Sequence, residues 1–272
     1  MSEAERPARG GFLPLLLLLF VASGCAALIY EVVWFQLLEL VIGSSAVSLG
    51  ILLGIFMGGM CLGSLLLPRL VPRRLHPLRV YAFLELGIAA FALLVLAGIP
   101  YGGAFYVAAV GYGLPGLLLR ALVCGLFLLP PTVLMGATLP AMARWVKTTP
   151  AGVSWLGYFY GGNTAGAVLG CLFSGFYLLR LYDTATATFA AAAVNLAVGL
   201  SALGLSALAG DRPAEGPASE EGARARHAAP GAGSVYLSIG LSGLGALGAE
   251  VVWTRLLSLM LGPTVYTFAL IL

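Results

Sequence analysis

Ser23-Gly24-Cys25-Ala26-Ala27-Leu28-Ile29-Tyr30-Glu31-Val32-Val33-Trp34 returns late in the chain as Ser242-Gly243-Leu244-Gly245-Ala246-Leu247-Gly248-Ala249-Glu250-Val251-Val252-Trp253. The register extends outward: Leu37, Leu38, Leu40 and Gly43 correspond to Leu256, Leu257, Leu259 and Gly262 at the same offset, the one that carries Glu31 to Glu250. A self-match at one fixed offset, with an acid set in apolar sequence both times, marks an internally duplicated membrane protein. On this reading the second copy has only begun where the sequence reaches Leu272.

Composition points the same way. Hydrophobic residues make up 60%, charged residues 9%, and mean hydropathy is +1.01, whereas soluble domains carry about a quarter of their residues as charges. Apolar runs of roughly 20 residues, enough to cross a ~30 Å hydrocarbon layer, recur along the chain. They do not alternate as the strands of a membrane barrel do. The expected fold is therefore all-α, a polytopic helical bundle in a lipid bilayer.

The spacing predicts helices over about 12–41, 46–67, 80–99, 116–143, 155–179 and 184–208, with Asp183 as the cap that starts the sixth. Gly43-Ser44-Ser45 and a basic stretch from Pro68 to Arg79 read as turns, and Pro100 to Pro115 as an uncharged connection. Pro130-Pro131 is expected to kink the fourth helix. The domain boundaries follow: a six-helix repeat over 1–209, a flexible linker over 210–233, and the first one to two helices of a parallel repeat over 234–272. Arg6 and Arg9 ahead of Phe12 to Val21 and Ala22-Ser23-Gly24-Cys25 resemble a lipoprotein signal. The apolar run continues past Cys25, however, and the repeat has Leu244 there, so an uncleaved first span is expected.

Basic residues set the orientation. Arg6, Arg9, Arg69, Arg73, Arg74, Arg79, Arg144, Lys147, Arg212, Arg224 and Arg226 fall on one side of a six-span arrangement, while Arg120, Arg180 and Arg255 fall within the spans or beyond. The positive-inside rule makes the first side cytoplasmic, with the N-terminus inside the bacterial inner (plasma) membrane. The net charge of +3 comes from helix ends and gives no nucleic-acid face.

Glu31, Glu39, Glu85, Arg120 and Glu250 are the candidate substrate- or ion-binding residues, since an ionisable group within a span needs a partner, water or a function. Arg120 is expected to pair with Glu31 or Glu39, and Glu85 to meet an arginine from a cytoplasmic loop. Glu31 and Glu250 read either as structural polar contacts or as a cation or proton site. Trp34 and Trp253 read either as interface anchors or as an aromatic wall for a cation. Gly50, Gly54 and Gly58, with Gly59 and Gly63 on the adjoining stripe, and Gly162, Gly166 and Gly170 have the four-residue spacing that lets helices approach closely. Asn163 and Asn195 need partners in a dry interior, and His76 and His227 fall in loops, where solvation is the default. Cys25, Cys61, Cys124 and Cys171 are dispersed, so no metal is expected and no cofactor either. The sequence holds no Ser/His/Asp set or paired-acid site, so no catalytic residue is assigned.

Beyond the repeated Ser-Gly-x-x-Ala-Leu-x-Tyr-Glu-Val-Val-Trp, the chain carries Gly43-Ser44-Ser45, Phe56-Met57-Gly58-Gly59 with Gly63, Gly136-Ala137-Thr138-Leu139-Pro140, and Asn163-Thr164-x-Gly166-Ala167-x-x-Gly170. Together these resemble the membrane region of bacterial fused major-facilitator/spermidine-synthase-like proteins. The resemblance implies a major-facilitator-like half with a small cationic solute such as a polyamine as partner. It also implies an aminopropyltransferase (spermidine synthase-like) domain after the membrane region, which the membrane part would otherwise anchor or scaffold. That domain, a Rossmann-type fold, is not represented in residues 1–272. A second copy of the chain is the other partner expected for a half-transporter. One departure stands out: the loop after the second helix has Arg69, Arg73 and Arg74 but lacks the Asp of the Gly-x-x-x-Asp-Arg pattern common in major-facilitator proteins.

Overall fold

A computed structural model describes residues 6–43, 45–72, 74–109, 114–146, 150–209, 232–262 and 264–272. Among these residues every regular element is helical: α1 Arg6–Ile42, α2 Ala46–Leu70, α3 Pro77–Ala109, α4 Leu114–Ala143, α5 Pro150–Phe173, a π-helical turn Ser174–Leu178, a short α6 Leu179–Leu181, α7 Thr184–Leu208, α8 Ala232–Leu261 and α9 Val265–Ile271. Seven helices are long and apolar enough to cross a bilayer, six of them before residue 210. The chain is a multi-pass helical membrane protein. Most of the linker expected over 210–233, and with it His227, lies outside the described residues, as do Ser44, Arg73, Lys147 and Pro263.

Helix α1 is the axis of the bundle. It packs against α5, α7 and α3, and Tyr30 to Trp34 are buried in an unbroken run, the signature of a helix enclosed on every side. The remaining large contacts join α2 to α4, and α3 to α4 and α7. Lipid gives apolar faces no reason to leave it, so these contacts depend on close packing, which small residues allow. A Cβ on Gly166 or Gly170 would overlap the carbonyl oxygens of Val21 or Cys25, and one on Gly24 would overlap that of Asn163. Across α2 and α4 the same holds for Gly63 against Val133, and for Gly136 against Met60.

The stripe expected on α2 needs correction. Around Gly50, Gly54 and Gly58 there is open space, whereas Gly59 and Gly63 meet α4. A four-residue spacing identifies two neighbouring stripes on α2 but not which of them turns toward α4. On α5 the stripe Gly162, Gly166 and Gly170 lies against α1.

Prolines shorten the loops rather than the helices. Helix α3 runs through Pro100 to Ala109 and α4 begins at Leu114, so most of the connection expected over 100–115 is helical, and residues 110–113 lie outside the described residues. Helix α4 is continuous through Pro130, Pro131 and Pro140. A proline removes one helical donor, but an apolar surrounding offers the chain no water to bond instead, so the helix persists. Between α2 and α3, Arg144 donates to the carbonyls of Leu67 and Val71 at 3.0 Å each and so satisfies the end of α2. His76 is buried there beside the Trp145 ring, 5.5 Å between centroids, and is not the solvated loop residue expected.

Asp183 caps α7, accepting from the Thr186 amide at 2.7 Å. That hydrogen bond holds its carboxyl below the usual value. The cap therefore contributes stability above the unfolded carboxylate range and loses it as pH falls through the lowered folded value. Asp183→Ala is expected to fray the first turn of α7, read as faster amide exchange at Thr186 with the rest of α7 unchanged.

Candidate functional site

The structural counterpart of the sequence repeat is the turn that follows each copy. Gly43 and Gly262 both adopt a left-handed backbone, φ +86° and +91°, a conformation open to glycine at little cost. Ser45 then caps α2 by accepting from the Ser48 amide at 3.0 Å, and Thr264 caps α9 by accepting from the Thr267 amide at 3.3 Å. The hydroxyl pairs Ser45–Ser48 and Thr264–Thr267 lie 2.9 and 3.1 Å apart. Each of these residues in α2 has its counterpart in α9 at the repeat offset.

The repeated acids lie within electrostatic reach of each other. Glu31, 4% exposed, lines a small cavity with Phe35, Leu52, Leu53, Phe56, Leu128 and Phe268, and its Oε1 has no hydrogen-bond partner among the described residues. The charge of Glu250, on α8, bears on it, and Glu250 Oε1 is likewise buried and unpartnered. Two carboxyl groups with unused oxygens, one lining an otherwise apolar pocket, form a place where positive charge is favoured. Cys171, on α5, stands near Glu31. Its Sγ donates to the Ala269 carbonyl at 3.2 Å, so the thiol ties α5 to α9. The π turn follows immediately and sets Gly175 where any Cβ would press on that of Ala269. The wider turn was invisible in the sequence, which reads as one uninterrupted helix.

A larger cavity adjoins the first, and Phe35, Leu52 and Phe268 line both. Phe35 and Phe268 stack with centroids 4.0 Å apart and planes 15° from parallel. Glu39 and Arg255 also line this second cavity, and Arg255 is the cation whose charge acts on Glu39. The pairing expected of Arg120 with Glu31 or Glu39 is thereby corrected: the like charge facing Glu31 is Glu250, the cation facing Glu39 is Arg255, and Arg120 lies half-buried on α4. Position along a span sets the depth of a side chain but not which helices adjoin.

Glu85 belongs to a separate cluster. It is 0% exposed, accepting from the Ser23 hydroxyl at 2.6 Å and from the Asn195 amide nitrogen, with Tyr81 beside it. The arginine expected from a loop is replaced by neutral donors on α1 and α7, because those two helices flank α3 at this level. Asn195 was recognisable as a group in need of a partner; its partner, 110 residues away, was not. Trp34 is 0% exposed and stacks on Tyr30 at 5.0 Å, while Trp253 is 59% exposed. Trp34 is thus a core side chain, neither an interface anchor nor a wall facing a solute.

No protein-family model, no curated protein and no solved structure matches this chain.

Proposed function

We propose that the chain is the transporter-like membrane module of a major-facilitator-like protein, placed in the bacterial inner membrane with its N-terminus cytoplasmic, and that it handles a small cationic solute at the Glu31–Glu250 pair. One observation carries this reading: a buried carboxylate with an unused oxygen lines a cavity and faces its own repeat-equivalent. A structural acid in lipid is normally spent on a donor, as Glu85 is on Ser23 and Asn195. Glu31 is kept unspent, which suits a group whose partner comes and goes. Both acids stand on helices that begin a repeat, the interface where parallel repeats of transporters hold their solutes. A polyamine is the solute class that the resemblance to the fused spermidine-synthase-like proteins supplies.

Uptake of labelled spermidine into proteoliposomes containing the full chain tests the reading. Glu31→Gln keeps the shape and removes the charge, and is expected to lower uptake by about tenfold or more, the factor that ~1.4 kcal/mol represents. Equal flux with glutamine at position 31 contradicts the assignment.

A further inference from the structure

The larger cavity, between α1 and α8, is built from equivalent positions of the two copies. Phe35, Gln36 and Glu39 on α1 correspond at the repeat offset to Thr254, Arg255 and Ser258 on α8, and all six line it. The scaffold is duplicated but the chemistry is not: one wall offers an amide and a carboxylate, the other a guanidinium and a hydroxyl. Glu39 and Arg255 bear opposite charges, yet among the described residues no ion pair joins them. Gln36 and Ser258 likewise make no hydrogen bond within the described residues. Thr254, by contrast, is committed to the Glu250 carbonyl at 2.7 Å. Beneath the polar rim lies the stacked Phe35–Phe268 pair with Leu49 and Leu52.

We propose that this cavity is a binding site for an amino-acid-like zwitterion with an apolar side chain, its ammonium held by Glu39 and Gln36, its carboxylate by Arg255 and Ser258, and its hydrocarbon on the aromatic floor. An ammonium group donates three hydrogen bonds and accepts none, which suits the carboxylate and amide oxygens of the α1 wall. A carboxylate accepts a bidentate pair from guanidinium, which suits the α8 wall. A solute with both charges on one carbon satisfies two groups that do not satisfy each other, while a diamine leaves Arg255 facing a like charge. The site goes beyond the cation reading and does not use Glu31.

Binding of tritiated norleucine to the purified full chain in detergent is the test, with pentylamine and hexanoate as competitors. Pentylamine is norleucine without its carboxylate, and hexanoate is norleucine without its ammonium group. Saturable binding is expected, with neither fragment competing within about tenfold of unlabelled norleucine. Glu39→Gln and Arg255→Gln should each weaken binding by about tenfold or more. A monodisperse elution profile for each variant separates a lost site from a lost fold. Pentylamine competing as well as norleucine, undiminished binding in Arg255→Gln, or no saturable binding overturns the proposal. Loss of spermidine uptake in Glu31→Gln, together with saturable norleucine binding by the unaltered chain, supports both assignments independently. Norleucine binding with spermidine uptake insensitive to Glu31→Gln supports this site and removes only the cation reading.

Discussion

Gly166→Val is expected to leave little folded, monodisperse protein after detergent extraction, whereas Gly54→Val behaves as the unaltered chain. A Cβ at position 166 overlaps the Val21 carbonyl oxygen, its carbon and the Val21 Cα, all backbone atoms that no rotamer change moves aside. The helices must separate, and α1 is the element on which α5, α7 and α3 all rest. Overpacking in a dense interior costs roughly 1–3 kcal/mol, more where backbone is the obstacle. A Cβ at position 54 meets nothing within 4 Å, and an open-face substitution changes stability by about 0.5 kcal/mol or less. The two variants make the same chemical change in spans of similar composition. Equal yields and melting curves would show that close approach of α1 and α5 does not hold the bundle together.

Glu85→Ala is the second large effect. The substitution strands the Ser23 hydroxyl and the Asn195 amide in a site that is 0% exposed at Glu85 and 1% at Asn195. A buried donor left without an acceptor costs on the order of 1–3 kcal/mol. Polar contacts within membranes average nearer ~0.6 kcal/mol where the unfolded chain finds other partners. Full burial and two stranded donors favour the higher figure here. Glu85→Gln should be milder: its oxygen accepts from Ser23, and its amide donates to Asn195 Oδ1 once the Asn195 amide, whose nitrogen now faces position 85, turns over. The triple variant Ser23→Ala, Glu85→Leu, Asn195→Leu should recover part of the loss, since removing all partners leaves nothing unsatisfied. Thermal denaturation of the four proteins checks the order. Glu85→Ala as stable as the unaltered chain would mean that the cluster does not tie α1 to α3 and α7.

Much of the architecture was legible in the sequence because membranes impose simple demands. Long apolar runs give spans, glycine followed by serine or threonine gives the turns, and Asp183 gives a helix start. The repeat from Ser23 to Trp34 singled out Glu31 and Glu250 before their proximity was visible. What resisted reading was azimuth, the direction in which each helix face points. Gly54 and Gly63 differ in nothing that a spacing rule detects, yet one faces open space and the other faces Val133. Trp34 and Trp253 occupy equivalent places in the repeat, yet one is enclosed by α1's neighbours and the other lies on an open side of α8. Gln36 and Glu39 stand at the repeat offset from Arg255 and Ser258, unlike residues that a match of identical residues passes over. The partners of Glu85 and the stacking of Phe35 on Phe268 depend on which helices adjoin, which local sequence does not encode.

The pairings across the cavity bear on the largest claim. The charge of Glu250 acts on Glu31 and that of Arg255 on Glu39, the order expected where sequence advances in the same sense along α1 and α8. A parallel duplication has both copies enter the bilayer from one side, with an even number of spans between them. Single cysteines at positions 75 and 218, in chains whose Cys25, Cys61, Cys124 and Cys171 are replaced, give the direct test with a membrane-impermeant maleimide applied to sealed vesicles of known sidedness. Labelling of both positions from the cytoplasmic side alone is the expected result. Labelling of one position from each side contradicts the parallel duplication, and with it the meeting of Glu31 and Glu250.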